Sequence, residues 1–348
     1  MSLARAIETG DVSELPSRRD EDWRWSDLRG LLRTLPPASS PGAVDLLGGG
    51  GPFAGLGEEI VLLNGRPLTA GRIDLVGGET RACALRFISQ AAQTTHRSDV
   101  VVTVAPGATL TLLESYEGMG VGYVTDAALD IRLGEGARLE RIVLVDEAAD
   151  AIAVSTTDVL LSHGAGLAQT VLTRGAKRQR YETHVRHPGH GASVRMDGVY
   201  LLDGPRHADL TSVVTHEGEG GSTAQLTKGA VRGQARAVFQ GRIVVARGAD
   251  KTDARMGHHG LILSERAEID AKPELEIYAD DVSCAHGNTV GALDEQALFY
   301  ACARGIPEPA ARAMLTEAFV GEVIDRIVHE GARAVAAAWV AARLEAMA

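Results

Sequence analysis

Cysteine and histidine are the side chains best suited to iron and zinc, and Cys284 and His286 bring the two types together at close spacing. Residues two apart in an extended segment project to one face, so this Cys-x-His pair could present a thiolate beside an imidazole. Either group binds metal only when deprotonated, and both occur as iron–sulfur ligands. The plainer readings are that the cysteine is a small buried hydrophobe and the histidine a satisfied polar residue. Asp280 and Asp281 are sequence neighbours, which on a strand point to opposite faces and so suit a solvated turn better than a carboxylate dyad. His184, His187 and His190 are broken by a turn at Pro188-Gly189 and do not converge on one face as metal ligands would, and His258-His259 read as turn residues. No Gly-x-x-x-x-Gly-Lys-Ser/Thr occurs, so ATP hydrolysis is not expected of this chain.

Three kinds of element must position the pair. Leu275 to Val282 alternates apolar and polar residues as a half-buried strand does, and Asp294 can cap a helix through Gln296, Leu298 and Tyr300. The pair is therefore expected where a sheet ends. Upstream, Pro106-Gly-Ala-Thr-Leu110, Glu135-Gly-Ala-Arg-Leu139, His163-Gly-Ala-Gly-Leu167 and His190-Gly-Ala-Ser-Val194 repeat one pattern. Their glycines, Gly107, Gly136, Gly164 and Gly191, stand 29, 28 and 27 residues apart, and the same step reaches Gly78, Gly220 and Gly248. A fixed period of glycine turns and short strands, with no helix-length pattern between, predicts a β-solenoid rather than a sandwich. The fold class is thus mainly β, a parallel β-helix with helical regions at both ends. The divisions fall at 1–75 for the N-terminal helical region and linker, 76–290 for the β-helix and 291–348 for the C-terminal helices.

The terminal regions follow from periodicity. Ser2 to Thr9 predicts a short helix, and Trp25, Leu28, Leu32 and Leu35 predict an amphipathic helix after Ser17-x-x-Asp20, closed by Pro36-Pro37. Pro41 to Gly57 reads as a linker, and Val61 to Leu68 as a strand with an Asn-Gly turn. Beyond Gly305, Pro309 opens a helix whose Leu315, Phe319, Val323 and Ile327 recur every four residues; Gly331 interrupts it. Such a stripe must be covered, either by the solenoid or by a partner docking near Pro309, Leu315, Phe319 and Val323.

Composition narrows the function. Thirty-five Lys and Arg against 46 Asp and Glu leave a formal charge of −11, which argues against nucleic acid as a partner. Three cysteines do not make a disulfide framework and suit a reducing compartment. The N-terminus lacks the apolar core of a signal peptide, and no segment offers the ~20 apolar residues of a membrane span, so the expected location is cytoplasmic. Hydrophobic residues make up 45% of the chain but aromatic ones only 4%, so stacked aliphatic strands must form the core.

The run ADDV-x-C-x-HG-x-T-x-G-x-LDE-x-x-LFY followed by ARGI, from Ala279 to Ile306, resembles the SufB/SufD family of scaffold subunits in the SUF iron–sulfur cluster assembly machinery. In the SufB branch an assembly cysteine precedes the Arg-Gly-Ile by three positions; here that position is Ala301, with Cys302 one residue later, which favours the SufD branch. The resemblance extends to the Trp-containing N-terminal segment and the apolar-Asn-Gly-Arg run. It implies a parallel β-helix and a non-enzymatic scaffold. The partners it implies are a SufB-like paralogue, met at the C-terminal part of the β-helix, and a SufC-type ABC ATPase on the C-terminal helices. It further implies a homodimer where the paralogue is missing, reduced flavin in the complex, and His286 as an assembly residue that transiently holds nascent cluster, with Cys284 in a lesser role. Two other readings stand beside it: a docking module without ligand chemistry, and a polysaccharide-acting β-helix enzyme. The last would ordinarily be secreted and carry a ladder of carboxylates, and the sequence has neither feature.

Overall fold

A corner that reverses the chain within four residues needs one residue in the left-handed region, and here glycine supplies it at every predicted position. Gly78, Gly107, Gly136, Gly164, Gly191, Gly220 and Gly248 have φ between 63° and 79°, where a Cβ is strained. Space does not impose the choice, since a Cβ on Gly107 or Gly136 would meet nothing within 4 Å. The corners also bond to one another: Gly107 N–H donates to Glu135 O at 2.9 Å and Gly136 N–H to His163 O at 3.0 Å.

The structure is a computed structural model that describes residues 1–41, 49–69 and 71–347, so part of the linker read between Pro41 and Gly57 lies outside the described residues. Helix α1 (Leu3–Thr9), capped by Ser2, precedes β1 (Glu58–Leu63), β2 (Arg66–Pro67) and β3 (Arg72–Leu75). The coils continue through β4 (Thr80–Ser89), β5 (Thr95–Val104), β6 (Thr109–Gly118), β7 (Val124–Leu133), β8 (Arg138–Asp146), β9 (Ile152–Leu161) and β10 (Gly166–Thr173). They end with β11 (Arg178–His187), β12 (Ser193–Leu202), β13 (His207–His216), β14 (Ser222–Val231), β15 (Arg236–Val245), β16 (Asp253–Ile262), β17 (Glu268–Ile277) and β18 (Ser283–Gly291). Helices α2 (Glu295–Ala303), α3 (Glu308–Ile324) and α4 (Glu330–Met347) follow.

From β3 on, successive strands alternate between two parallel sheets, one running β4 to β18 through the even strands and the other β3 to β17 through the odd. The chain is therefore a parallel β-solenoid of about eight turns, with β1 and β2 added to the first sheet as the Asn64-Gly65 hairpin. In-register stacking places like positions above one another, as in the column Arg141, Gln169, Met196, Gln225, Met256, His286. Inward residues such as Leu112, Leu139, Val143 and Val185 fill the lumen, each stabilising the fold by roughly 1.5–3 kcal/mol on burial.

Both outer faces are covered. On the even-strand sheet, Ile142, Leu144, Val199 and Leu201 pack against Val320 and Val323 of α3, Val340 of α4 and Ile327 between the two helices. Ion pairs pin α4 and the break before it: Asp146 takes Arg343 at 2.5 Å and Asp197 takes Arg326 at 3.1 Å. On the odd-strand sheet lies the N-terminal segment. Arg180 stacks on Trp23 at 4.4 Å, Ser26 donates to Asp209 at 2.5 Å, and Lys272 pairs with Glu21 at 2.8 Å.

Three expectations are corrected. The helix predicted through Trp25, Leu28, Leu32 and Leu35 is a short 3₁₀ turn (Glu21–Trp23) within irregular chain. Asp20 accepts from Ser17 N–H at 2.7 Å and Asp27 from Gly30 N–H at 2.9 Å, local bonds that compete with helix formation. His258 and His259 lie inside β16, not in a turn. Gly260, beside them in the strand, makes room for Tyr200, whose hydroxyl would lie 2.6 Å from an added Cβ. The helical break falls at Asp325 to His329, ahead of Gly331, which sits in the first turn of α4.

Candidate functional site at the open end of the solenoid

The predicted Cys-x-His pair lies within β18, the last strand of its sheet, rather than just past a strand end. The stretch Leu275 to Val282 looked continuous because its corner, Tyr278 to Val282, has no left-handed glycine; the strand stops at Ile277. Cys284 is in register with Ala254 and His286 with Met256, both buried lumen residues. Cys284 and His286 therefore continue the inward-facing row and share one face. That row closes no further turn, so His286 is exposed and Cys284 half-buried. Ala271, Leu275, Ala279 and Val282 line the wall beside Cys284.

The chemistry is limited by burial and by number. Desolvation pushes the Cys284 thiol above its ordinary range, with Asp253 adding to the shift and Ala254 opposing it. It is not a preformed thiolate, so metal binding there would release a proton. Among the described residues no three His, Cys, Asp or Glu side chains come close enough to hold a metal ion. Cys83 is buried in β4, and Cys302 is half-buried on α2.

The open end is also an unpaired edge. β17 and β18 terminate their sheets, and Ile277, Tyr278 and Val290 are exposed there with Phe299 and Tyr300 of α2. Free strand edges beside exposed apolar side chains invite continuation by another chain.

The remaining predicted residues separate. His184 is on the outer face and bonds Glu182 at 2.7 Å, His187 stacks inside on His216 at 4.3 Å, and His190 sits in a corner. Val323 is buried against the sheet, and Phe319 is half-buried beneath Lys228 at 4.6 Å. Leu315 is half-buried, whereas Pro309 is exposed and borders a cavity of about 360 Å³ with Arg312, Leu344 and Arg232.

Sequence reasoning missed two groups of lumen side chains. Arg141 and Glu114, both fully buried, form a two-bond pair at 2.8 Å each, and Gln169 accepts a further bond from Arg141 at 2.8 Å. Their inward alternation with Leu112, Val143 and Val145 was the available signal. His258, inside β16, bonds Tyr200 and Asn288.

Comparison with known proteins gives the family. Residues 87–319, two thirds of the chain, match the SUF system FeS cluster assembly SufBD core domain. The iron-sulfur cluster assembly protein SufD of Escherichia coli is 32% identical over 229 residues, covering 66% of this chain and 54% of that one. A SufBD family protein of Synechocystis, slr0076, is 30% identical over 237 residues, covering 66% and 52%. A SufBD family protein of Mycobacterium leprae, ML0594, is 29% identical over 353 residues, covering 91% and 87%. The matched stretch spans about half the length of the first two. Glycine corners, lumen and terminal Cys-x-His strand thus lie in a chain that belongs to the SufBD family of SUF-system iron–sulfur cluster assembly proteins.

Proposed function

We propose that this chain is a non-enzymatic scaffold that completes its cluster-assembly site only when a second, SufB-like chain continues the solenoid at β17 and β18. The observation that carries this reading is the pairing of one cysteine and one histidine on an open, apolar-rimmed strand edge, with no third ligand near it among the described residues. Iron and sulfide are then cargo, held transiently by His286 and by a thiolate from the partner. Cys284 has a secondary role because burial opposes its ionisation. Where the paralogue is missing, the same edge suits a homodimer.

A SufC-type ABC ATPase is assigned to the C-terminal helices. With Val323 and Phe319 already engaged, its contact falls on Pro309, Leu315 and the cavity beside them. Reduced flavin remains a component of the complex, with no contact assigned to this chain, and the compartment proposed is the cytoplasm. Functional divisions follow 1–75, 76–290 and 291–348.

The test is co-expression with SufB-like and SufC-type partners and measurement of iron and sulfide in the purified complex. His286→Ala should keep both partners and lose the cluster; Cys284→Ser should be milder. Full cluster content in His286→Ala would reduce the chain to a structural support, the docking-module reading.

A further inference from the structure

Tyr200 projects from β12 along the solenoid axis rather than across the lumen. In register beside it stand Gly229 of β14 and Gly260 of β16. A Cβ on Gly229 would come within 2.3 Å of the Tyr200 ring, and one on Gly260 within 2.6 Å of its hydroxyl. Two glycines therefore clear a path over which one tyrosine spans two turns. Its hydroxyl meets Nε2 of fully buried His258 at 3.0 Å, and His258 Nδ1 meets Asn288 Oδ1 at 2.7 Å. With Asn288 Oδ1 as acceptor, Nδ1 carries the proton and Nε2 accepts from the tyrosine. Phe239, stacked at 4.7 Å and 11°, fixes the imidazole plane. Burial lowers the His258 pKa to about 4, so the ring stays neutral, as this bonding requires. Asn288 lies two residues past His286 on the same inward row. On the outer face, His259 Nδ1 meets Thr289 at 2.7 Å, so consecutive histidines grip the terminal strand from both sides.

We propose that Tyr200, His258 and Asn288 form a strut that fixes the register of β18, and that His258 is a positioning residue for the Cys284–His286 row. The role rests on the scaffold reading, but the strut can be tested without it. Hydrogen exchange on the full chain should show amides of 283–291 exchanging roughly five- to tenfold faster in Asn288→Ala, as loss of one hydrogen bond implies. The amides of β12 to β14 should not change. Asn288→Asp, which keeps the oxygen acceptor, should restore protection. Gly229→Ala, whose Cβ would meet both the ring and the backbone oxygen of Tyr200, should loosen the same nine residues together with the β12–β14 pairing. Unchanged exchange across 283–291 in Asn288→Ala overturns the strut. Iron and sulfide are then measured in the co-expressed complex. Content lowered in Asn288→Ala and restored in Asn288→Asp supports the positioning role. Full content despite faster exchange overturns it. If His286→Ala also retains full content, the scaffold reading fails instead, and the exchange data still decide the strut.

Discussion

Breaking the lumen ion pair should be among the most damaging single changes outside the open end. Arg141 and Glu114 are both 0% exposed, joined by two bonds of 2.8 Å, with Gln169 and the Tyr181 ring also beside the guanidinium. At an effective dielectric near 20 and a charge separation of about 4 Å, their attraction is about 4 kcal/mol. Arg141→Met removes that attraction and leaves a carboxylate in a dry lumen, so the expected loss is about 3–5 kcal/mol. Glu114→Leu strands the guanidinium, with a loss of similar size. The double variant removes both charges and should cost no more than about 2 kcal/mol, giving a coupling of about 4 kcal/mol or more. The assay is urea denaturation of all four proteins, followed by circular dichroism of the β signal, with midpoints compared at equal slope. A loss below about 1 kcal/mol for Arg141→Met, or a double variant as unstable as the sum of the singles, would falsify the claim that the pair is a dry, mutually dependent unit.

Glu147, buried and accepting from the Tyr123 hydroxyl, has its pKa raised by desolvation to about 7. A carboxyl raised on folding binds its proton more tightly in the native state, so stability should fall as pH climbs from about 4.5 to about 7. The loss is on the order of 3 kcal/mol; Glu147→Gln should flatten that slope in denaturation series between pH 5 and 8. Gly136→Ala should cost about 1–2 kcal/mol through its left-handed φ of 63°, whereas Ala at Gly287, which has open space and no positive φ, should leave the denaturation midpoint in place. Ile327→Ala, at 1% exposure in the seam between helices and sheet, should cost about 2–5 kcal/mol and raise protease sensitivity at Asp325 to His329 before the solenoid itself unfolds. Clean co-purification of the ATPase with a folded chain lacking Pro309 to Ala348 would remove the helices from the proposed partner contact.

The solenoid was legible because its requirement is local. A left-handed corner every ~28 residues calls for glycine, and apolar alternation then faces the lumen, so period and composition carry the fold without any long-range information. The Asn64-Gly65 hairpin and the Asp294 cap were legible for the same reason. The N-terminal segment was not, because the helical spacing of its apolar residues competes with side-chain bonds from Asp20 and Asp27 and with contacts to Arg180 and Asp209, which exist only once the odd-strand sheet is assembled. The fate of the Val323 stripe also depended on assembly, since either the sheet or a partner could have covered it. At the open end, spacing placed Cys284 and His286 on one face. Only tertiary structure decided that this face is the unfinished end of the lumen, and that a tyrosine three turns away reaches Asn288 through His258. A register column of that kind joins residues separated by whole coils, and no local pattern encodes it.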